Sequence, residues 1–187
     1  MIVNEPSDVP DDVADITKPA NELASLSPIG SKGLSIIPFG NGAERVLENK
    51  EVNCSIQGIN FNIHTKGDVL RAAQEGIVFS YEYGMNIMRN MGMNIQVIRA
   101  GNANMFLSSI FRQTLSSISN AVIELYDTDG AAGAARAAGL GVGFYANTNE
   151  AFSALEKIAI IEPEVDKKEQ YQEAFYLGGK CLSSHQS

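Results

Sequence analysis

The stretch from Ile95 to Gly143 most constrains what this chain can fold into, because it reads as strand, glycine-bearing loop, helix, strand, and then a helix built almost wholly of glycine and alanine. Asn94 to Ala100 is rich in isoleucine and valine, which suits a pleated strand. Leu107 to Ser117 predicts a helix that Ser108 or Ser109 caps, and Ala121 to Tyr126 predicts the next strand. Asp127 or Thr128 then caps a helix running to about Ala138, where Gly139 and Gly141 break it. Asp127 and Asp129 both suit capping, since a carboxylate before a helix accepts free backbone amides and meets the positive end of the dipole. Strands alternating with helices predict an α/β layer.

Upstream, prolines at 6, 10, 19 and 28 leave room for only a short helix around Ala20 to Leu26 before a turn at Gly30 to Gly33. Residues 1–30 read as partly disordered or as the cut edge of a domain. Leu34 to Phe39 fits a buried strand, Gly40 to Arg45 a loop, and Ser55 to Ile63 a further strand. Asp68 to Met91 has the clearest helical period, started by Thr65 with Asp68 three residues on and stopped by Gly92. Thr148 opens another helix through about Ile158, and Pro163 separates off a last amphipathic helix carrying Tyr171, Phe175 and Leu177, with a disordered tail after Gly179.

With 187 residues and 44% hydrophobic content the chain can bury a real core, and a net charge of -8 argues against nucleic acid or an anionic membrane as partner. No apolar run reaches the ~18 residues of a membrane span, and Cys54 and Cys181 lie too far apart for metal-ligand spacing. A cytoplasmic location is the expectation. His64 and His185 offer no catalytic pairing, and five methionines between Met85 and Met105 read as packing residues. Glu44 with Arg45 and Arg71 with Glu75 read as ion pairs on solvated or structural surfaces.

In their order, several segments resemble the FGGY carbohydrate kinases, the family of xylulokinase, gluconate kinase and glycerol kinase. Pro38-Phe39-Gly40-Asn41-Gly42-Ala43-Glu44-Arg45 is similar to the family's Pro-Tyr-x-x-Gly-Glu-Arg element. Ile56-Gln57-Gly58-Ile59 followed by Asp68-Val69-Leu70-Arg71-Ala72-Ala73-Gln74-Glu75 nearly matches its second signature, with Cys54 and Gln74 as misfits. Ala100-Gly101-Asn102-Ala103 stands where the family has a Gly-Gly-Gly-Ala loop, and Phe111-Arg112-Gln113 where it has Trp-Arg-Gln. One loop glycine remains, and about three extra residues around Met105 to Leu107 lengthen the approach to the helix.

The resemblance implies a ribonuclease H-like fold of the actin and hexokinase type, the carboxy-terminal part of the second kinase domain, with residues 31–160 as the nucleotide-binding domain and 161–187 as a final helix and flexible tail. It implies ATP, with Mg²⁺ in the full-length kinase, held at the adenosine end by Ala100, Gly101, Asn102, Ala103 and Asn104. The general-base aspartate and the sugar-binding domain of the family have no counterpart here, so no catalytic or metal-ligating residue is assigned and the chain alone is expected to be inactive. Expected partners are ATP, a sugar such as xylulose bound through the missing part, and either a second copy or that missing part, since a sheet without its first strands exposes an unpaired edge and an apolar face. A non-catalytic assembly or regulatory module with the kinase fold is the alternative.

Overall fold

The computed structural model describes the backbone of residues 13–40, 43–44 and 47–183 and the side chains of 19–40 and 47–178. The prolines at 6 and 10, Asn41, Gly42, Arg45, His185 and the side chain of Cys181 lie outside what is described.

Helix α1 spans Val13–Ser25, longer than the sequence suggested and with Pro19 inside it. Strand β1 (Ser35–Ile37) pairs antiparallel with β4 (Ser55–Gln57), setting Ile36 opposite Ile56. Between them a two-residue ladder joins β2 (Ala43–Glu44) to β3 (Lys50–Glu51), where the sequence had suggested only a loop. The strand expected to reach Ile63 stops at Gln57. Gly58 turns the chain at φ +75°, and Ile63 and His64 both donate backbone N–H groups to the Asn60 carbonyl, so a turn replaces the strand.

Helix α2 (Lys66–Asn90) has 25 residues and begins with the capping box its sequence advertises: the Thr65 hydroxyl accepts from Asp68 N while the Asp68 carboxylate accepts from Thr65 N at 2.7 Å. Its middle lies directly on β1. A Cβ at Gly76 would stand 2.0 Å from the Ile36 carbonyl oxygen, so only glycine permits that approach.

The second half of the chain builds one three-stranded sheet. Strand β5 (Val97–Gly101) runs parallel to β6 (Val122–Tyr126), the crossover being made by α3 (Ser109–Ser119), and β7 (Lys157–Ile161) lies antiparallel on the far side of β6. Helices α4 (Gly130–Gly141) and α5 (Thr148–Phe152) occupy the connection, and α6 (Lys168–Ser183) closes the chain. The helix expected from Thr148 to Ile158 is therefore only five residues long. Lys157-Ile158-Ala159-Ile160-Ile161 is instead a strand, favoured by its β-branched content and by the β6 edge waiting for a partner. The helix α6 also runs past Gly179, where a disordered tail was expected.

A core joins α2, α3, β6 and α6, and a smaller one gathers Ile37, Phe39, Leu47 and Val52. Val78, Phe79 and Met85 of α2 meet Phe111, Leu115 and Ile118 of α3, Ile123 of β6, and Tyr171 and Ala174 of α6. Of the methionines expected in the packing, only Met85 is buried; Met88, Met91 and Met93 are exposed, and Met105 is half-buried against the core.

A polar network ties the segment after α1 to α2. Glu75, 2% exposed, accepts from Gly30 N, the Ser31 hydroxyl and Arg71 Nε, the last at 2.7 Å, and Arg71 Nη1 donates to the Ser27 carbonyl. The Arg71–Glu75 pair is thus a buried structural link rather than a solvated one. Asp68, fully buried, accepts from the Ser27 hydroxyl at 2.7 Å and from Lys32 Nζ at 2.9 Å. Burial works against its charge, but the bonds from Thr65, Ser27 and Lys32 prevail and hold its carboxyl well below the usual carboxylate range.

Candidate functional site

Of the expected loop Ala100 to Asn104, Ala100 and Gly101 are the last two residues of β5, paired with Leu125 and Tyr126, and Asn102 to Asn104 leave its carboxyl end beside the turn that leads from β6 into α4. Gly101 is fixed there by contact: a Cβ would lie 2.4 Å from the Thr128 carbonyl oxygen, so its missing side chain is used by the neighbouring turn and not left open to a ligand. A bulky residue at 101 cannot therefore fill space beneath a base while sparing the fold. The loop amides are also engaged internally, Asn102 N donating to the Tyr126 carbonyl and Ala103 N to that of Gly101, both at 2.9 Å. A bond to β6 takes the first of them and a tight local turn the second.

A cleft of about 300 Å³ opens where this loop faces the start of α4, lined by Gly101, Ala103 and Asn104 with Tyr81, Asp129 and Gly130. Asn104 sits at φ +52°, a left-handed conformation that asparagine tolerates. Ala100, inside β5, and Asn102, just after it, do not line the cleft. Asp129, rather than Asp127 or Thr128, caps α4, its Oδ1 accepting from Ala132 N at 2.7 Å. Asp127 donates its backbone N–H to Glu156, and the Thr128 hydroxyl accepts from Arg136 at 2.9 Å. Tyr81 carried no signal in the sequence, because its place in the cleft depends on how α2 crosses α3. Its ring meets that of Phe111 edge to face at 6.1 Å, and Phe106 flanks Phe111 in the same way at 5.3 Å.

Of the Phe111-Arg112-Gln113 element, Phe111 is wholly buried in the core, and Gln113 donates to the Glu162 carbonyl and to Ser117. Both act in packing. Arg112 Nε is buried without a hydrogen-bond partner, and burial lowers the affinity of that guanidinium for its proton.

The outer edge of β5 has no strand beside it among the described residues. A groove of about 1060 Å³ runs along it, walled by Tyr81, Met85, Met88, Met93, Val97 and Phe106 among others, and far more apolar than polar. On the sheet itself Glu124 of β6 collects Arg99 Nε at 2.9 Å, the Tyr126 hydroxyl at 3.0 Å and Lys157 Nζ. The Lys157 bond foremost, then those of Tyr126 and Arg99, bring its pKa down to about 2. This cluster needs β7, which the sequence had hidden inside a helix.

Among the described residues no group of three or more His, Cys, Asp or Glu side chains is placed to hold a metal ion, and no helix is long and apolar enough to cross a membrane.

No protein-family profile matches the chain. It is 32% identical over 161 residues to a xylulose kinase of Haemophilus influenzae, a match covering 83% of this chain and 32% of that protein. To the L-xylulose/3-keto-L-gulonate kinase of Escherichia coli it is 30% identical, covering 83% of this chain and 31% of the relative. The chain thus spans about a third of the length of the curated relatives it matches. Among solved structures, the xylulose kinase of Rhodospirillum rubrum superposes with a TM-score of 0.75 at 19% identity, over 94% of this chain and 35% of that one. The glycerol kinase of Plasmodium falciparum with ADP gives 0.69 at 22%, over 94% and 34%. The fold is accordingly that of the actin and hexokinase-type ATPases, as the sequence implied. Curated homologues and structural neighbours agree, and the chain belongs to the FGGY carbohydrate kinase family.

Proposed function

We propose that this chain forms the nucleotide-binding part of a carbohydrate kinase that transfers the γ-phosphate of ATP to a sugar hydroxyl, xylulose being the favoured acceptor. The observation that carries the reading is the cleft between the β5 loop and α4, formed in a chain homologous to xylulose kinases. Its volume suits the base and sugar of a nucleotide rather than a whole triphosphate. The small side chain of Ala103 keeps the floor low, the exposed face of Tyr81 forms a wall, and the Asn104 carboxamide supplies a donor and an acceptor for a base edge. The Asp129 carboxylate beside Gly130 repels phosphate, which directs the phosphates away from the start of α4.

The described residues do not fit a Mg²⁺ site, since Asp129 is committed to its cap and no cluster of acids adjoins it. The metal therefore belongs with the bound nucleotide and with groups outside those described. Phosphoryl transfer also needs a carboxylate to accept the sugar proton, and we assign that base and the sugar contacts to the further two-thirds or so of a full-length kinase, the share of the relatives that this chain does not span.

Calorimetric titration with ATP and Mg²⁺ tests the reading. Saturable binding that Ala103→Phe removes, by filling the cleft at a position free of the Gly101 clash, is the expected result. A folded wild-type chain that takes up no nucleotide counts against it.

The assembly reading is favoured by one observation, the unpaired β5 edge with its apolar groove. Association with the complementary part of a xylulose kinase without sugar-dependent ATP turnover would support it over the kinase reading.

A further inference from the structure

A second cavity, of about 500 Å³, lies between the segment after α1, the first half of α3 and the start of α6, and nothing in the nucleotide reading uses it. Its lining divides into two kinds of wall. Pro28, Ile29 and Ile110 give an apolar side. Arg71, Lys167 and Tyr171 give a side of hydrogen-bond donors, with Glu164 between them.

The donors are held in place. The Arg71 guanidinium is gripped by Glu75 and the Ser27 carbonyl, bonds that engage two of its five N–H groups. Lys167 Nζ donates to Glu164 Oε1 at 2.8 Å and the Tyr171 hydroxyl donates to Glu164 Oε2 at 3.3 Å. The Glu164 carboxylate thus already occupies a position that an ammonium and a phenol recognise together. Burial, with Glu164 adding to it, pushes the Tyr171 hydroxyl up to about 12, so it stays a donor throughout the physiological range. Glu164 and Lys167 are partly exposed, at 31% and 43% of their side chains, so this end of the cavity opens to solvent.

We propose that this cavity is a binding site for a small organic carboxylate, whose charged head competes with Glu164 for Lys167 and Tyr171 in the field of Arg71 and whose hydrocarbon body lies on Ile29 and Ile110. Lys167 and Tyr171 already hold one carboxylate between them, which favours a carboxylate head, and the apolar wall favours a ligand with a body over a bare inorganic ion. The occupant bridges α2, α3 and α6, and α3 is the helix into which the Asn104 to Leu107 turn leads. The proposal stands independently of the nucleotide cleft.

The test is an NMR titration of the full chain at pH 7 with butyrate as probe and inorganic phosphate as comparison. Butyrate is expected to move the Gln113 side-chain amide and the backbone signals of Lys167 and Gln170 saturably, with phosphate binding more weakly. Lys167→Met, at a half-exposed position that leaves the core intact, is expected to weaken butyrate about tenfold, the size of one charge-assisted contact. Glu164→Gln removes the internal competitor and is expected to tighten it. Absence of saturable shifts, affinities unmoved by both variants, or phosphate binding more tightly than butyrate would each overturn the assignment.

Discussion

Ser108 and Gln74 are joined by a hydrogen bond of 2.6 Å between buried side chains, which locks the first turn of α3 to the middle of α2. The same Ser108 oxygen caps α3 by accepting from Phe111 N, and Gln74 also donates to Asn21 on α1 at 3.0 Å. Ser108→Ala removes the cap and strands the Gln74 oxygen together. A loss of about 1 to 3 kcal/mol is expected, read as a lowered urea midpoint at unchanged m-value. A midpoint equal to that of the wild type would show that the link carries no stability.

Gly101→Ala is expected to destabilise the chain by about 1 to 3 kcal/mol, because its Cβ is forced against the Thr128 carbonyl at 2.4 Å and the turn into α4 must yield. Thermal melting checks it. Gly130→Ala, where a Cβ meets nothing within 4 Å, is the control and is expected to leave the melt almost unchanged.

Asp68 has a depressed pKa in the folded chain, so the stability it contributes is present above the unfolded value of about 3.9 and is lost as pH falls toward the lower folded value. The wild type should therefore lose stability below about pH 4 more steeply than Asp68→Asn, which starts less stable at pH 7 because Lys32 and Ser27 lose a charged partner. Urea midpoints followed from pH 7 to pH 2 decide it; parallel curves would remove Asp68 from the acid response.

The outer edge of β5, with no strand beside it among the described residues, invites another strand, and Val97 on it is 43% exposed. Concentration-dependent self-association is expected in sedimentation velocity, and Val97→Lys is expected to reduce it by placing a charge in the apolar groove. Equal association by both proteins would place the contact elsewhere.

Much of the fold was legible because local chemistry and tertiary context agree. Thr65 and Asp68 mark the start of α2, and the isoleucine and valine runs mark β5 and β6. What stayed hidden depends on partners distant in sequence. Ile158 and Ile160 gave no helix-breaking sign, and their strand exists through pairing with β6; with it came the Arg99, Glu124 and Lys157 cluster. The loop at Ala100 to Asn104 was found from its order among neighbouring segments. Its internal hydrogen bonds were not, since no sequence pattern tells whether an amide meets a ligand or the next strand.

Helix α4 has no buried residue, so it draws its order from alanine propensity, the Asp129 cap and its own ladder rather than from a core. It is consequently a separable unit of low opening free energy, packed mainly against the short helix α5. Its amides should exchange with solvent orders of magnitude sooner than those of β6, and whatever settles against it decides whether that wall of the cleft is firm or fluid.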